Sequence, residues 1–297
     1  MPSLPVRIVS FVLGTTGIVQ RRFSAGDNFM TTIKAAQALP RSEPTARMKR
    51  QFDVAASDFD GHPVWTMAPK GRQASAQILF WHGGGYVYPI TSLHWKFLAH
   101  MVEKYGWAVT VPYYPLAPGS DAQATTDWAL AFYRHHAGGQ SGQPFVMAGD
   151  SAGGGLTAAI AMLSRDAGLP LPHKLILICP WLALNPQHPD QPGIEPREVI
   201  LTMGGIEEAG KLYAQTLPVT DPRCSPINGS WDALPPVQAF GGGNDILVTD
   251  AQQLKIKSPS VEYTELAGMM HDWPIFSFSE SRAAQTQMAE FAARAIP

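Results

Sequence analysis

The chain has 297 residues, of which 45% are hydrophobic and 15% are charged, and such a chain can bury a substantial core. Its 22 basic and 24 acidic residues give a formal net charge of −2 and form no basic patch that could neutralise phosphates. The composition argues against a nucleic-acid partner. The length fits one large α/β domain with an added lid better than two independent domains, and the charge balance favours a small or apolar partner.

Two features bear on the compartment of the protein. The apolar stretch 8–19 has the length of a signal-peptide core but is too short to span a bilayer. Only Arg7 precedes it and no clear cleavage site follows, so we expect a structural helix and no stable membrane insertion. Cys179 and Cys224 are too few for a disulfide framework and too isolated for a zinc cluster, which fits a reducing, cytoplasmic location.

Short apolar strands alternate with longer helices from about residue 50 onward. Segments 50–56 and 62–69 predict a hairpin with its turn at Asp60 and Gly61. Later apolar runs predict buried parallel strands within 76–82, 107–113, 144–149, 174–180, 235–241 and 261–268. Helices are predicted at 93–105, 122–136, 152–166 and 279–294. This alternation predicts an α/β fold, a mostly parallel central sheet with helices on both faces.

Two regions do not follow this alternation. Residues 1–48 and residues from about 185 to 217 contain apolar positions but no clear strand, and the second region is rich in proline and glycine. We interpret them as two parts of a helical cap over the carboxyl edge of the sheet, where open α/β folds bind ligands. The alternative is that both regions only decorate the surface.

The segment GDSAGGG at 149–155 places one serine between glycines. It follows a predicted strand and opens a predicted helix, an arrangement that exposes the serine hydroxyl on a sharp turn. Gly149 and Gly153 leave room for a close crossing of the chain, and the helix directs its amide groups toward the serine. The alternative, a glycine-rich phosphate loop, lacks the lysine that such loops use. Ser151 is therefore the candidate nucleophile.

A serine nucleophile needs a base, and the base needs an acid that orients it. With the chain order serine, acid, histidine, the candidate base is His271, because it lies in a loop just after the last predicted strand. Asp245 follows the preceding predicted strand at the same sheet edge and is the candidate acid. Asp250 is the closest competitor but resembles a helix-start residue. Asp272 adjoins the histidine and is expected to point elsewhere.

A run of three glycines in FWHGGGYVYP, at 80–89, directly follows another predicted strand. Because glycines lack side chains, backbone N–H groups can approach a ligand closely there. Gly83 and Gly84, with the N–H of Ala152 after the nucleophile, are the candidate donors to an oxyanion. His82 precedes the glycines and is expected to hydrogen-bond within the loop rather than to act as the base.

Four motifs in this order, HGGG at 82–85, GDSAGG at 149–154, GGND at 242–245 and GMMH at 268–271, resemble the hormone-sensitive lipase family of α/β-hydrolases. Segments 114–119 and 221–227 are also similar to that family, and the resemblance covers roughly residues 75–297. It implies an α/β-hydrolase fold with a helical cap. We assign residues 49–297 to the catalytic domain, with a cap insertion at about 185–217. The resemblance also implies a carboxylesterase that acts on short- to medium-chain acyl esters without a cofactor.

The chain departs from the family pattern at three places. Pro115 and Gly119 stand where the family usually has arginine and glutamate, so an expected ion pair is absent. Ile246 follows the acid in place of the usual proline. Asp272 and Trp273 follow the histidine in place of the commoner small or aromatic pairs. None of these changes removes a candidate catalytic group, but together they leave the local loop packing and the acyl preference open.

The candidates for contact with the substrate are Tyr86, Trp181, Leu201 and Met203. Each of them could equally belong to the ordinary core. The expected partner is a small-molecule ester, and no residues stand at convincing metal-ligand spacing. The oligomeric state stays open, with a homodimer as one option. Two other functions also stay open: a ligand-binding module without turnover, and an amidase that uses the same groups.

Overall fold

A computed structural model of the chain describes residues 2–137, 144–185 and 188–295. Its strands are β1 (Phe52–Phe59), β2 (His62–Pro69), β3 (Ala76–Trp81), β4 (Trp107–Pro112), β5 (Phe145–Asp150), β6 (Lys174–Ile178), β7 (Val237–Gly242) and β8 (Glu262–Leu266). They form one eight-stranded sheet in the order β1-β2-β4-β3-β5-β6-β7-β8.

The first two strands form the predicted hairpin, which pairs antiparallel around Asp60 and Gly61. β2 then pairs antiparallel with β4, whereas β3 to β8 all run parallel to one another. β5 and β6 are buried at every residue, which explains why these parallel strands are mostly apolar. The prediction of a mostly parallel sheet is confirmed.

The helices are α1 (Leu4–Thr16), α2 (Phe29–Ala38), α3 (Ala46–Gln51), α4 (Ser92–Tyr105), α5 (Ala122–Ala137), α6 (Ala152–Asp166), α7 (Gln191–Ile194), α8 (Met203–Ala214), α9 (Val248–Lys257) and α10 (Ser279–Ala293). The sequence predicts α4, α5, α6 and α10 to within one residue at either end. For α9 it gives only a helix-start residue, Asp250, and no range, because the apolar pattern of that helix is interrupted by polar residues and its Ile256 is 80% exposed.

Hydrophobic side chains form one core on each face of the sheet. Successive residues of β3 alternate between the two cores, with Leu79 on one side and Ile78 and Phe80 on the other. Leu156 of α6 packs in the first core and Phe291 of α10 in the second. Helices therefore cover both faces, as the alternation of elements predicted.

The two segments without strands fold into helices that contact each other. Gln20 Nε2 donates to the carbonyl of Glu198 at 2.7 Å, and the Gly26 N–H donates to Glu208 Oε1 at 3.1 Å. Residues 186 and 187 of the second segment lie outside the described residues. No helix in the described ranges combines the length and the apolar content of a membrane-spanning segment.

Parallel strands bring four loops to one edge of the sheet. The glycine run follows β3, Ser151 follows β5, Asp245 follows β7 and His271 follows β8. Because the carboxyl ends of parallel strands share an edge, residues far apart in sequence meet there. The fold thus gathers all the candidate catalytic segments at this edge.

Candidate active site

Ser151 lies on a sharp turn between β5 and α6, with φ of 52° and ψ of −121°. A positive φ is uncommon for a residue with a side chain, so the turn is strained. A Cβ on Gly149 would lie 2.2 Å from the carbonyl oxygen of Gly153. A Cβ on Gly153 would lie 2.0 Å from the carbonyl oxygen of Trp81. Glycine at both positions therefore lets the strand, the turn and the helix approach closely.

His271 and Asp245 meet across the loops that follow β8 and β7. Nδ1 of His271 lies 2.8 Å from Oδ2 of Asp245, and Oδ1 of the same carboxylate accepts the Leu247 N–H at 2.8 Å. The two side chains are 2% and 0% exposed. This bond holds the proton of the neutral imidazole on Nδ1 and leaves Nε2 for proton transfer.

A second carboxylate approaches the same imidazole. Oδ2 of Asp272 lies 3.2 Å from Nε2 of His271, an ion-pair distance at an angle that makes no hydrogen bond. We expected Asp272 to point elsewhere, and this expectation was wrong. The residue has φ of 54° and ψ of 21°, a left-handed conformation that turns its side chain back onto its neighbour.

Burial alone lowers the pKa of His271, but Asp245 and Asp272 together raise it well above its usual range. Burial raises the pKa of Asp272 to about 6, although the imidazole opposes the shift. The imidazole therefore favours its protonated form between the two carboxylates.

The glycine loop supplies backbone N–H groups beside the serine. The Gly83 N–H donates to Oδ1 of Asp150 at 2.9 Å. Among the described residues, the N–H groups of Gly84 and Ala152 donate to no backbone carbonyl. Gly84 has φ of 120°, and a Cβ there would lie 2.5 Å from the carbonyl oxygen of Tyr88. Two of the three expected oxyanion donors are thus available, while the N–H of Gly83 is engaged with the carboxylate.

His82 holds the glycine loop from within, as we expected. Its Nδ1 lies 2.7 Å from the carbonyl oxygen of Gly83. Burial, with a contribution from His94, lowers the pKa of His82 to about 4, so this ring is neutral near pH 7. A neutral, buried ring bonded within its own loop has a structural role.

A buried pair that we did not predict supports the loop. Nε2 of His94 lies 3.0 Å from Oδ2 of Asp150. Burial alone would lower the pKa of His94 and raise that of Asp150, but the attraction between the two groups reverses both shifts. The pair holds the carboxylate that accepts the Gly83 N–H. An acid directly before the candidate nucleophile, and a histidine soon after the glycine run, were the available signals.

A cavity of about 330 Å³ lies over the serine and the imidazole. Ser151, His271 and Asp272 line its floor. Its upper wall comes from the two helical segments outside the alternating β/α pattern and includes Val9, Leu13, Val19, Phe23, Ile200 and Leu201. The cavity is therefore apolar above and polar at its base, as expected for a site that binds an apolar group next to reacting atoms.

Only one of the four predicted pocket residues lines this cavity, namely Leu201. Tyr86 and Trp181 are each 1% exposed, and the ring of Tyr86 stacks on that of Tyr213 with centroids 3.7 Å apart. These two side chains belong to the core behind the site. Met203, at the start of α8, packs against the same core. The structure places these three residues outside the lining of the cavity, because Tyr86 and Trp181 are buried in the core and Met203 is partly buried against it.

Two further buried acids have structural contacts. Oδ2 of Asp250 accepts the N–H groups of Leu182 at 2.7 Å and Ala183 at 2.9 Å, so this competitor for the role of acid anchors the loop after β6. Glu198, which the sequence analysis did not single out, accepts the Ile246 N–H at 3.2 Å next to Asp245. Burial and the nearby Asp245 raise the pKa of Glu198 to about 8.

Cys179 packs beside the same imidazole. Potential donor atoms of Cys179, His271 and Asp272 lie within 4.8 Å of one another. Burial raises the pKa of the thiol well above its usual range, so it stays protonated. Because a thiol must lose its proton to bind a metal, this raised pKa weakens metal binding at the cluster.

Segment 114–119 packs without the ion pair that the family pattern usually contains. Gln37 of α2 donates to the carbonyl oxygens of Val87 at 2.7 Å and Ala117 at 2.8 Å. Pro115 and Gly119 line a separate open groove of about 980 Å³. An N-terminal helix thus contacts this segment through the carbonyl oxygen of Ala117.

Comparison with known proteins places these features in a family. The chain matches the family described as alpha/beta hydrolase fold over residues 78–275. An acetyl-hydrolase of Streptomyces hygroscopicus is 31% identical over 224 residues, covering 72% of this chain and 73% of that protein. An ethyl acetate hydrolase of Pseudomonas putida is 28% identical over 239 residues, covering 74% of each protein.

Solved structures share the whole architecture. An esterase/lipase from an uncultured bacterium is 25% identical, with a TM-score of 0.79 and coverage of 98% of both chains. An esterase of the bacterial hormone-sensitive lipase family has a TM-score of 0.82, with 99% of both chains covered at 23% identity, and supports the fold. The chain belongs to the alpha/beta hydrolase fold family. Within it, the chain is a carboxylic ester hydrolase similar to the hormone-sensitive lipase group.

Proposed function

We propose that the protein is a serine carboxylesterase in which Ser151 is the nucleophile, His271 the base and Asp245 the acid that orients it. The observation that carries this proposal is the 2.8 Å contact between Asp245 and Nδ1 of His271, in a cavity that also exposes the strained serine. Such an arrangement activates a hydroxyl that is otherwise a weak nucleophile at neutral pH.

The reaction begins when Nε2 of His271 takes the proton of the serine hydroxyl and Oγ attacks the ester carbonyl carbon. The N–H groups of Gly84 and Ala152 stabilise the negative oxygen of the tetrahedral intermediate. The imidazolium then protonates the leaving alkoxide, and the alcohol departs to leave an acyl-enzyme. Water attacks this acyl-enzyme in the same way, which releases the carboxylic acid and restores the serine.

We infer a short- to medium-chain acyl ester as the substrate. The cavity of about 330 Å³ has apolar upper walls that suit an acyl chain of limited length. The relatives named acetyl-hydrolase and ethyl acetate hydrolase support the short end of this range. The polar floor, with the carboxylate of Asp272, faces the reacting ester group.

We further propose that residues 1–48 and about 185–217 act as a cap on the catalytic domain, residues 49–297. Their helices contribute most of the apolar upper wall of the cavity and contact each other through Gln20 and Gly26. A cap of this kind excludes water from the acyl group and selects substrates by size.

Hydrolysis of a p-nitrophenyl ester series, from acetate to long acyl chains, tests this function. We expect the wild-type protein to prefer short and medium chains, and Ser151→Ala to lower kcat to background. Ser260→Ala, which changes an exposed serine, is the matched control and keeps wild-type activity. Turnover that survives Ser151→Ala would exclude this serine as the nucleophile. Faster hydrolysis of a matched anilide than of the ester would instead favour an amidase. Binding of the ester without hydrolysis would favour a non-catalytic binding module.

A further inference from the structure

Asp272 lies beside the nitrogen of His271 that accepts the serine proton in the proposed reaction. Its Oδ2 lies 3.2 Å from Nε2, the nitrogen that takes the serine proton in the proposed reaction. Its Oδ1 is buried and has no hydrogen-bond partner within the described ranges of the chain. The side chain is 14% exposed and lines the same cavity as Ser151. The carboxylate therefore competes with the serine for one nitrogen.

The charges around the imidazole come from several elements. Asp245 after β7 and Asp272 are at contact distance, on opposite ring nitrogens. Cys179 after β6 faces the ring with a protonated thiol. Glu198, from the segment between α7 and α8, interacts with the ring at longer range, and its raised pKa keeps it largely neutral near pH 7.

Two more groups act through the second carboxylate. Asp150 at the end of β5 raises the pKa of Asp272, and His94 of α4 is in turn affected by the charge of Asp272. Asp150 and His94 already form a pair of opposite charge 3.0 Å apart, so their combined effect on the imidazole is small. Asp245 and Asp272 are then the two groups that hold a proton on His271.

We propose that Asp272 is a positioning residue that holds His271 as an imidazolium in the substrate-free enzyme and thereby sets the pH above which the base can act. This inference rests on the proposed function, because it gives His271 the role of base. Before Ser151 can be deprotonated, Nε2 must lose its proton to solvent. The Asp272 carboxylate must also move away from Nε2. The negative charge of Asp272 therefore lowers the activity of the enzyme on the acid side of its pH profile, because it keeps His271 protonated there.

The charge of Asp272 determines the direction in which its removal shifts the pH profile. A neighbouring negative charge favours the protonated imidazole and raises its pKa, so removing that charge lowers the pKa. The acid limb of kcat/KM reports the base in the free enzyme. We therefore expect Asp272→Asn to move this limb down by about one pH unit. At a pH below the apparent pKa of the acid limb in both proteins, Asp272→Asn then has a kcat/KM about tenfold above that of wild type.

Two substitutions suit the backbone at this position. Asparagine has nearly the same shape as aspartate and tolerates the left-handed conformation, so Asp272→Asn removes the charge alone. Asp272→Gly removes the whole side chain, and glycine accepts a positive φ without strain. The matched control is Asp53→Asn, which removes one negative charge from the exposed face of β1, the strand at the far edge of the sheet.

The experiment measures kcat/KM for p-nitrophenyl acetate against pH in all four proteins, with circular dichroism as a check on folding. A lower acid limb in both Asp272 variants, and an unchanged limb in Asp53→Asn, supports the proposal. Acid limbs at the same pH in wild type and Asp272→Asn overturn it. An equal shift in the control also overturns it, because the effect is then one of net charge.

A measurement without turnover separates this inference from the proposed function. NMR titration of the His271 ring follows its protonation directly, and we expect the imidazolium to persist to higher pH in wild type than in Asp272→Asn. If no protein hydrolyses the ester but the titration shifts, the proposed function fails and the pairing stands. If the ring titrates at the same pH in both proteins, the pairing itself is overturned.

Discussion

Gly153 is the position at which a single methyl group should do the most damage to the site. In Gly153→Ala, the new Cβ would lie 2.0 Å from the carbonyl oxygen of Trp81 and 2.7 Å from that of His82. Both contacts are with backbone, so no flexible side chain can move away. The start of α6 and the end of β3 must separate by more than 1 Å, since carbon and oxygen normally approach to about 3.3 Å at closest. Overpacking of this kind costs about 3 kcal/mol or more.

The separation also moves the nucleophile and the oxyanion donors relative to each other. At about 2–4 °C per kcal/mol for a chain of this size, the melting temperature should fall by about 6–12 °C. Misplacement by about 1 Å should lower kcat by about 100-fold. Thermal unfolding and p-nitrophenyl acetate kinetics measure both effects. Gly193→Ala is the control, because a Cβ there meets nothing within 4 Å. A Gly153→Ala protein with the melting temperature and kcat of wild type would refute the reasoning.

Three further predictions concern the acid, the cavity and the buried pair. Asp245→Asn should lower kcat by about 1,000-fold or more with little change in KM, because the imidazole loses the group that orients it; ester kinetics with unchanged kcat would contradict this. Leu201→Trp should shorten the longest acyl chain accepted while acetate hydrolysis persists, and Ile256→Trp, at a site 80% exposed on α9, should change neither. His94→Ala should cost about 3–5 kcal/mol in urea unfolding near neutral pH. Both groups are charged only between the lowered pKa of Asp150 and the raised pKa of His94. The drop in unfolding free energy caused by His94→Ala should therefore be smaller at a pH outside this window.

The fold could be predicted where one physical rule dominated. Buried parallel strands are mostly apolar, so β5 and β6 were visible as short apolar runs between helices. The rule that parallel strands share a carboxyl edge led us to expect that Asp245 and His271 lie together, although 26 residues separate them. The predicted start of α6 at Ala152 followed from the glycines around the serine.

Other features depend on three-dimensional packing that no local pattern encodes. The left-handed backbone at Asp272 turns its carboxylate onto the imidazole, and sequence adjacency alone suggested the opposite. Tyr86 also has a positive φ, and it stacks on Tyr213 in a helix more than a hundred positions away. The lining of the cavity required knowledge of how α1 and the segment just before α8 pack over the site. Apolar residues near a site can enter either the cavity or the core, and their hydrophobicity does not decide between them.

The carboxyl group of Glu198 joins the wall of the cavity to the loop that carries the acid. It accepts the N–H groups of Val199 and Ile200 on one side and that of Ile246 on the other. A widening of the cavity that carries residues 198–201 away from the sheet must therefore break the bond to Ile246 and loosen the loop next to Asp245. The wall of the cavity and the loop that carries Asp245 are thus mechanically linked through one carboxyl group.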